Sequence, residues 1–120
     1  MARYRILYWH GIPTGVRAWD ANGEVRESLP QRFQVAVDAV ATATGRIGTQ
    51  SYLAGWQWGA VKQQEGSARE VARAIADELV DAFSPDRVKS MRQELERSLL
   101  DEPIRARASP RSRDNRPDRR

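Results

Sequence analysis

Residues 16–29 read Val16-Arg17-Ala18-Trp19-Asp20-Ala21-Asn22-Gly23-Glu24-Val25-Arg26-Glu27-Ser28-Leu29, and this stretch decides the fold. Two short runs, Val16 to Asp20 and Val25 to Leu29, surround Asn22-Gly23, the dipeptide best suited to the positive φ angles of a tight hairpin turn. A β-hairpin is expected. With Asn22 and Gly23 as the loop residues, Val16, Ala18, Val25 and Leu29 share one face and Arg17, Trp19 and Arg26 share the other. That register sets Trp19 across from Arg26, where a cation–π contact would contribute about 0.5–1 kcal/mol.

Working outward, Tyr4, Ile6 and Tyr8 alternate with Arg3, Arg5, Leu7 and Trp9, which predicts a first strand. Gly11-Ile12-Pro13-Thr14-Gly15 reads as a turn, because two glycines and a proline do not continue a central strand. Beyond the hairpin, Ser28 and Gln31 form a capping-box pattern with Pro30 in the first turn. The helix that follows carries Phe33, Ala36, Val37, Val40 and Ala41 on one face, and Gly45 is placed to end it in a left-handed conformation. Ile47 to Gln50 reads as a turn, and the run from Tyr52 to Val61 as a fourth strand with both tryptophans on one side. Ser67 and Glu70 form a second capping box ahead of Val71, Ala72, Ile75, Leu79, Ala82 and Phe83. Ser84-Pro85 then ends that helix and opens another, about residues 85–100, with Val88, Met91, Leu95 and Leu99 as its stripe. No internal repeat interrupts this order. The expected class is α+β: β-β-β-α-β-α-α, a four-stranded, largely antiparallel sheet with helices on one face, in one domain over residues 1–102.

Composition narrows the chemistry. The 120 residues are 40% hydrophobic and 30% charged, and the mean hydropathy is -0.70, enough for a core and too polar for a membrane span. The absence of cysteine excludes disulfides, thiolate zinc sites, iron–sulfur ligation and a cysteine nucleophile. With one histidine no self-contained metal cage is expected, and no cofactor is implied. Only four apolar residues separate Arg5 from His10, too few for the core of a secretory signal, so a cytoplasmic location is expected. The net charge of +4 is unevenly placed. Residues 103–120 hold seven arginines against Asp114 and Asp118, or +5, whereas residues 1–102 hold thirteen basic against fourteen acidic residues, or -1. This Arg-rich tail is expected to be disordered. Either it tethers RNA or another acidic partner, or it only solubilises; the lack of any aromatic residue after Phe83 favours the second.

Two places stand out as candidate sites. Gly55-Trp56-Gln57-Trp58-Gly59 puts both indoles on one strand face, either as core against the helices or as an exposed platform for a partner. His10 follows Tyr8-Trp9 at a strand end, where binding and catalytic residues often lie. As a general base it would need an orienting carboxylate, Asp20 or Asp38; otherwise it is a loop-end histidine bonded to backbone. The candidate binding set is Tyr8, Trp9, His10, Trp19, Trp56 and Trp58, with His10 the candidate catalytic residue. The charged residues of the last two helices read as solvated faces with weak local ion pairs.

Tyr8-Trp9, Ile12-Pro13, Arg32-Phe33-Gln34, and Tyr52-Leu53 leading into Gly55-Trp56-Gln57-Trp58-Gly59 together resemble the bacterial "virulence factor" domain family, named for its similarity to a region of conserved virulence factor C. The resemblance spans about residues 3–83. It implies the domain but no reaction and no catalytic residues. With no cysteine in the chain, any link to iron–sulfur assembly, suggested by larger relatives, would run through a protein partner. The expected function is a non-catalytic, cytoplasmic protein-interaction or accessory module. The alternatives are a small enzyme or ligand-binding subunit centred on His10, and RNA binding through residues 103–120.

Overall fold

Strong strand formers and two tight turns fold the first 28 residues into an antiparallel meander. The computed structural model describes residues 1–102, so the expected tail lies outside the described residues. In it β1 (Ala2–Trp9), β2 (Ile12–Asp20) and β3 (Gly23–Ser28) pair in sequence. The first turn is shorter than expected. It comprises His10 and Gly11, at φ +47° and +87°, and Ile12 and Pro13 already belong to β2. Proline is tolerated there because the ladder is irregular: Leu7 opposes Gly15, Tyr8 opposes Pro13, and Thr14 is the extra residue. The Thr14 hydroxyl donates to the Leu7 carbonyl at 3.1 Å.

The hairpin forms, with its loop one residue earlier than the Asn-Gly signal suggests. Asp20 opposes Gly23, leaving Ala21 and Asn22 in the loop. The Asp20 carboxylate accepts the Asn22 N–H at 2.8 Å, a local turn that outcompetes the Asn22-Gly23 register. The resulting shift is two residues, so every side chain keeps its face and every cross-strand partner changes. Trp19 faces Glu24 rather than Arg26, and Arg26 faces Arg17.

The expected fourth strand is instead a helical turn and two short strands. Thr49 caps α2 (Gln50–Ala54) by accepting the Tyr52 N–H at 3.2 Å, so Tyr52 and Leu53 are helical. The chain then lies along the free edge of β1, first as β4 (Trp56–Trp58) and then as β5 (Lys62–Gln64). Gly59 bridges the two through its N–H to the Ile6 carbonyl at 2.8 Å. The antiparallel order is β3-β2-β1, with β4 and β5 sharing the outer edge of β1.

Three longer helices complete the fold: α1 (Gln31–Ala43), α3 (Ala68–Ala82) and α4 (Pro85–Leu100). The Ser28 capping box is not formed. Ser28 is still paired with Gly15 in the sheet, and α1 starts after Pro30 with no side-chain cap. The other end of α1 is as expected. Gly45 takes φ +70°, its N–H reaches the Thr42 carbonyl and the Arg46 N–H reaches Ala41, a complete Schellman motif. At the start of α3 the Ser67–Glu70 box is closed in both directions, and Ser84 caps α4 with Pro85 at its first position.

The core is apolar and small-residue-rich. Helix α3 lays Val71, Ala72, Ile75 and Leu79 over the sheet face that carries Ala2, Val16 and Ala18, while α1 buries Phe33, Val37 and Val40 and packs against α4. Nineteen buried apolar side chains form one cluster, which is enough to hold the sheet from one side. The other face, with Arg5, Arg17, Trp19 and Trp58, stays half-exposed or exposed.

Candidate functional site

The six candidate binding residues separate into three environments. Trp9 leaves the candidate set, because its side chain is fully buried. Beyond the irregularity at Thr14 it sits between Ile12 of β2 and Trp56 of β4, and its indole N–H donates to the Tyr52 carbonyl at 2.9 Å. Strict alternation from Arg3 and Arg5 placed it with the polar face; at this end of the strand α2 covers it, with the Tyr52 ring 5.8 Å from the indole. Trp56 is half-buried against the core and meets Tyr52 edge-on at 6.1 Å. So the Trp-Gln-Trp pair divides. Trp56 belongs to the core margin, and Trp58 is 42% exposed.

Tyr8 and His10 line a cleft of about 410 Å³ together with Gly11, Gly55, Gln57 and Trp58. His10 occupies a left-handed backbone conformation, which a side-chain-bearing residue adopts at some cost. Its ring stands edge-on to Trp9 at 4.6 Å, and its Nε2 is buried without a hydrogen-bond partner. Burial, and then the nearby Arg46 charge, hold the imidazole pKa below its ordinary value, while Glu102 opposes them. Neither expected carboxylate orients it. Asp20 accepts from the Asn22 and Ala68 backbone N–H groups, and Asp38 accepts from Gln34. The lowered pKa favours the neutral imidazole, and the His10 backbone N–H donates to the Gly55 carbonyl at 3.1 Å.

The open sheet face carries the larger group. Arg5 opposes Arg17, and Arg17 opposes Arg26, so three arginines cross β1, β2 and β3 in one row. In the next row Arg3, Trp19 and Glu24 face one another. Directly opposed like charges weaken a sheet unless other groups offset them. Trp58, opposite Leu7, lies against it: the Arg5 guanidinium stands 4.2 Å from the ring centre and that of Arg17 5.8 Å. Glu24 pairs with Arg17 and approaches Arg26 at 3.6 Å. Arg5 has no ion pair among the described residues, and its Nε is buried and unpartnered.

Arg5 and Arg17 were missed as site residues in the sequence. Their alternation with apolar residues placed them on the polar face, but only the true register aligns them. Arg46 was also missed. It is 2% exposed and donates to the carbonyls of Thr44 and Leu99, tying the end of α1 to the end of α4. Among the described residues no group of His, Asp or Glu is placed to hold a metal ion. No helix of these residues is long and apolar enough to cross a membrane.

A family model described as Virulence factor matches residues 7–91, from the second half of β1 into α4. The chain belongs to the Virulence factor family. The match includes the His10 cleft and the Arg5 neighbours Arg17, Arg26 and Trp58, and it continues past Phe83, where the resemblance read from the sequence ends. Nothing among the curated proteins or the solved structures matches the chain.

Proposed function

We propose that this Virulence factor domain is a non-catalytic, cytoplasmic interaction module that docks a protein partner on its open sheet face, with Trp58 at the centre. One observation carries the reading: a tryptophan 42% exposed, held against two arginines on a face that no core contact requires to be aromatic. Tryptophan and arginine are the residues most enriched where interfaces concentrate their binding energy. Trp58 is a better probe than the Trp56–Trp58 pair, because Trp56 also supports the core. Affinity capture from nuclease-treated native lysate with wild type and Trp58→Ala tests it. The expected result is a stoichiometric protein held by wild type and lost by a variant whose circular dichroism is unchanged. Equal retention by the folded variant ends this reading.

A second reading rests on His10, whose left-handed backbone and unpartnered Nε2 border the 410 Å³ cleft. In it the cleft takes a small polar ligand that donates to the neutral imidazole. A metabolite screen by thermal shift, repeated on His10→Gln, separates the two: a ligand that stabilises wild type alone supports the cleft, and a blank screen with wild type removes it.

A further inference from the structure

Resting on the docking reading above, we propose that the partner presents an acidic segment, whose carboxylates seat on the row Arg5, Arg17 and Arg26. The register puts three guanidinium groups on adjacent strands, about 4.8 Å apart from strand to strand, with Arg3 one row away. This is a concentration of positive charge in a body, residues 1–102, whose net charge is -1. The row already holds one carboxylate. Glu24 accepts from Arg17 and lies 3.6 Å from Arg26, so one end of the row is matched from within the chain. The other end is not matched. Arg5 makes no ion pair among the described residues, where Glu24 is taken by Arg17 and Arg26, and its guanidinium rests on the Trp58 ring. A carboxylate suits that position, because the planar guanidinium fork takes two oxygens at once. Trp19 and Trp58 flank the row, and cavities of about 470 and 320 Å³ open on its two sides and share Arg17.

The same features weigh against nucleic acid. Binding to a phosphate backbone gains with each phosphate neutralised, whereas this face offers four arginines, two of them already sharing Glu24. One side of the Trp58 ring is also taken by Arg5, so only its other side is open to a base.

Fluorescence anisotropy with the full chain tests the proposal. The probes are a labelled peptide alternating Glu with Leu, its Gln counterpart, and a single-stranded RNA of equal length. The acidic peptide is expected to bind, the Gln peptide to bind much more weakly, and rising salt to weaken the acidic complex. Arg5→Gln/Arg17→Gln is expected to lower its affinity about tenfold or more, as for a charge-assisted contact. Arg69→Gln/Arg73→Gln on the exposed side of α3 removes equal charge and is expected to change nothing. Because Arg17 is part of an ion pair, Arg26→Gln serves as a second variant; its side chain is 76% exposed, so the fold tolerates it, and weaker binding is expected. Equal affinity for the acidic and Gln peptides, or unchanged binding by folded row variants, overturns the proposal. Tighter binding of the RNA than of the acidic peptide overturns it in favour of nucleic acid. A captured partner lost on Trp58→Ala but kept by the row variants removes the acidic segment and leaves the docking reading standing; a partner kept by both removes the docking reading as well.

Discussion

Gly55 shows how one missing methyl group places two aromatic side chains. A Cβ there would lie 2.6 Å from Trp9 Nε1 and 2.7 Å from His10 Cδ2, closer than real contacts allow. The indole and the imidazole can approach the backbone only because the position is bare. Gly55→Ala is therefore expected to destabilise the fold by about 1–3 kcal/mol, the usual range for overpacking, measured by urea unfolding. An alanine variant as stable as wild type would mean that the two rings relax freely. The glycine was visible in the sequence and its purpose was not. A glycine inside a strand pattern often marks close approach of a ligand or another backbone; in the fold the approaching groups are the Trp9 and His10 side chains.

At the scale of elements, three arginines close the C-terminal ends of helices. Arg32 donates to the Val80 and Phe83 carbonyls, Arg87 to Ala82, and buried Arg46 to Leu99 at 3.0 Å. Each donates to carbonyls at or beside a helix end and sets a positive charge at the negative end of its dipole. Arg46→Met keeps most of the buried volume and removes the charged bonds to the Thr44 and Leu99 carbonyls, leaving Leu99 only its backbone donors, Glu102 N–H at 3.1 Å among them. The expected loss is about 1–3 kcal/mol, read from chemical denaturation, and a variant of wild-type stability would show that water replaces the guanidinium. Element identity was legible wherever local bonds decide it: the Ser67–Glu70 box, the Ser84–Pro85 start and the Gly45 stop all form. It was not legible from Tyr52 to Val61. There an aromatic, apolar run reads as a strand, and the Thr49 cap that makes its first part helical was the signal passed over.

For the molecule as a whole, two titrating groups predict a stepped loss of stability in acid. His10 has its folded pKa below the ordinary value, so the folded state resists protonation. Its contribution is present above about pH 6.5 and falls away below it, until the folded pKa is passed. Asp20 has its folded pKa lowered, first by the Ala68 N–H at 2.8 Å and then by the Asn22 N–H. That stabilisation is present above the ordinary carboxylate value, about 3.9, and is lost as pH falls through the folded one. Urea unfolding from neutral pH to about pH 2 should show the two steps in turn. His10→Gln should remove the first, and Asp20→Asn the second. A wild-type profile that stays flat as pH falls from about 6.5 to the onset of the Asp20 step would sink the first assignment. Asp20 also shows where sequence reading stops. Its local turn with Asn22 lies two residues away, whereas its bond to the start of α3 spans 48 residues. The sequence by itself determined the class, the first three strands, the three longer helices and the faces of the hairpin, because periodicity and caps act over a few residues. Only the tertiary structure decided the register that lines up Arg5, Arg17 and Arg26, the burial of Trp9 and the exposure of Trp58. Those depend on pairings between distant segments, and a two-residue slip changes every partner while leaving the alternating pattern untouched.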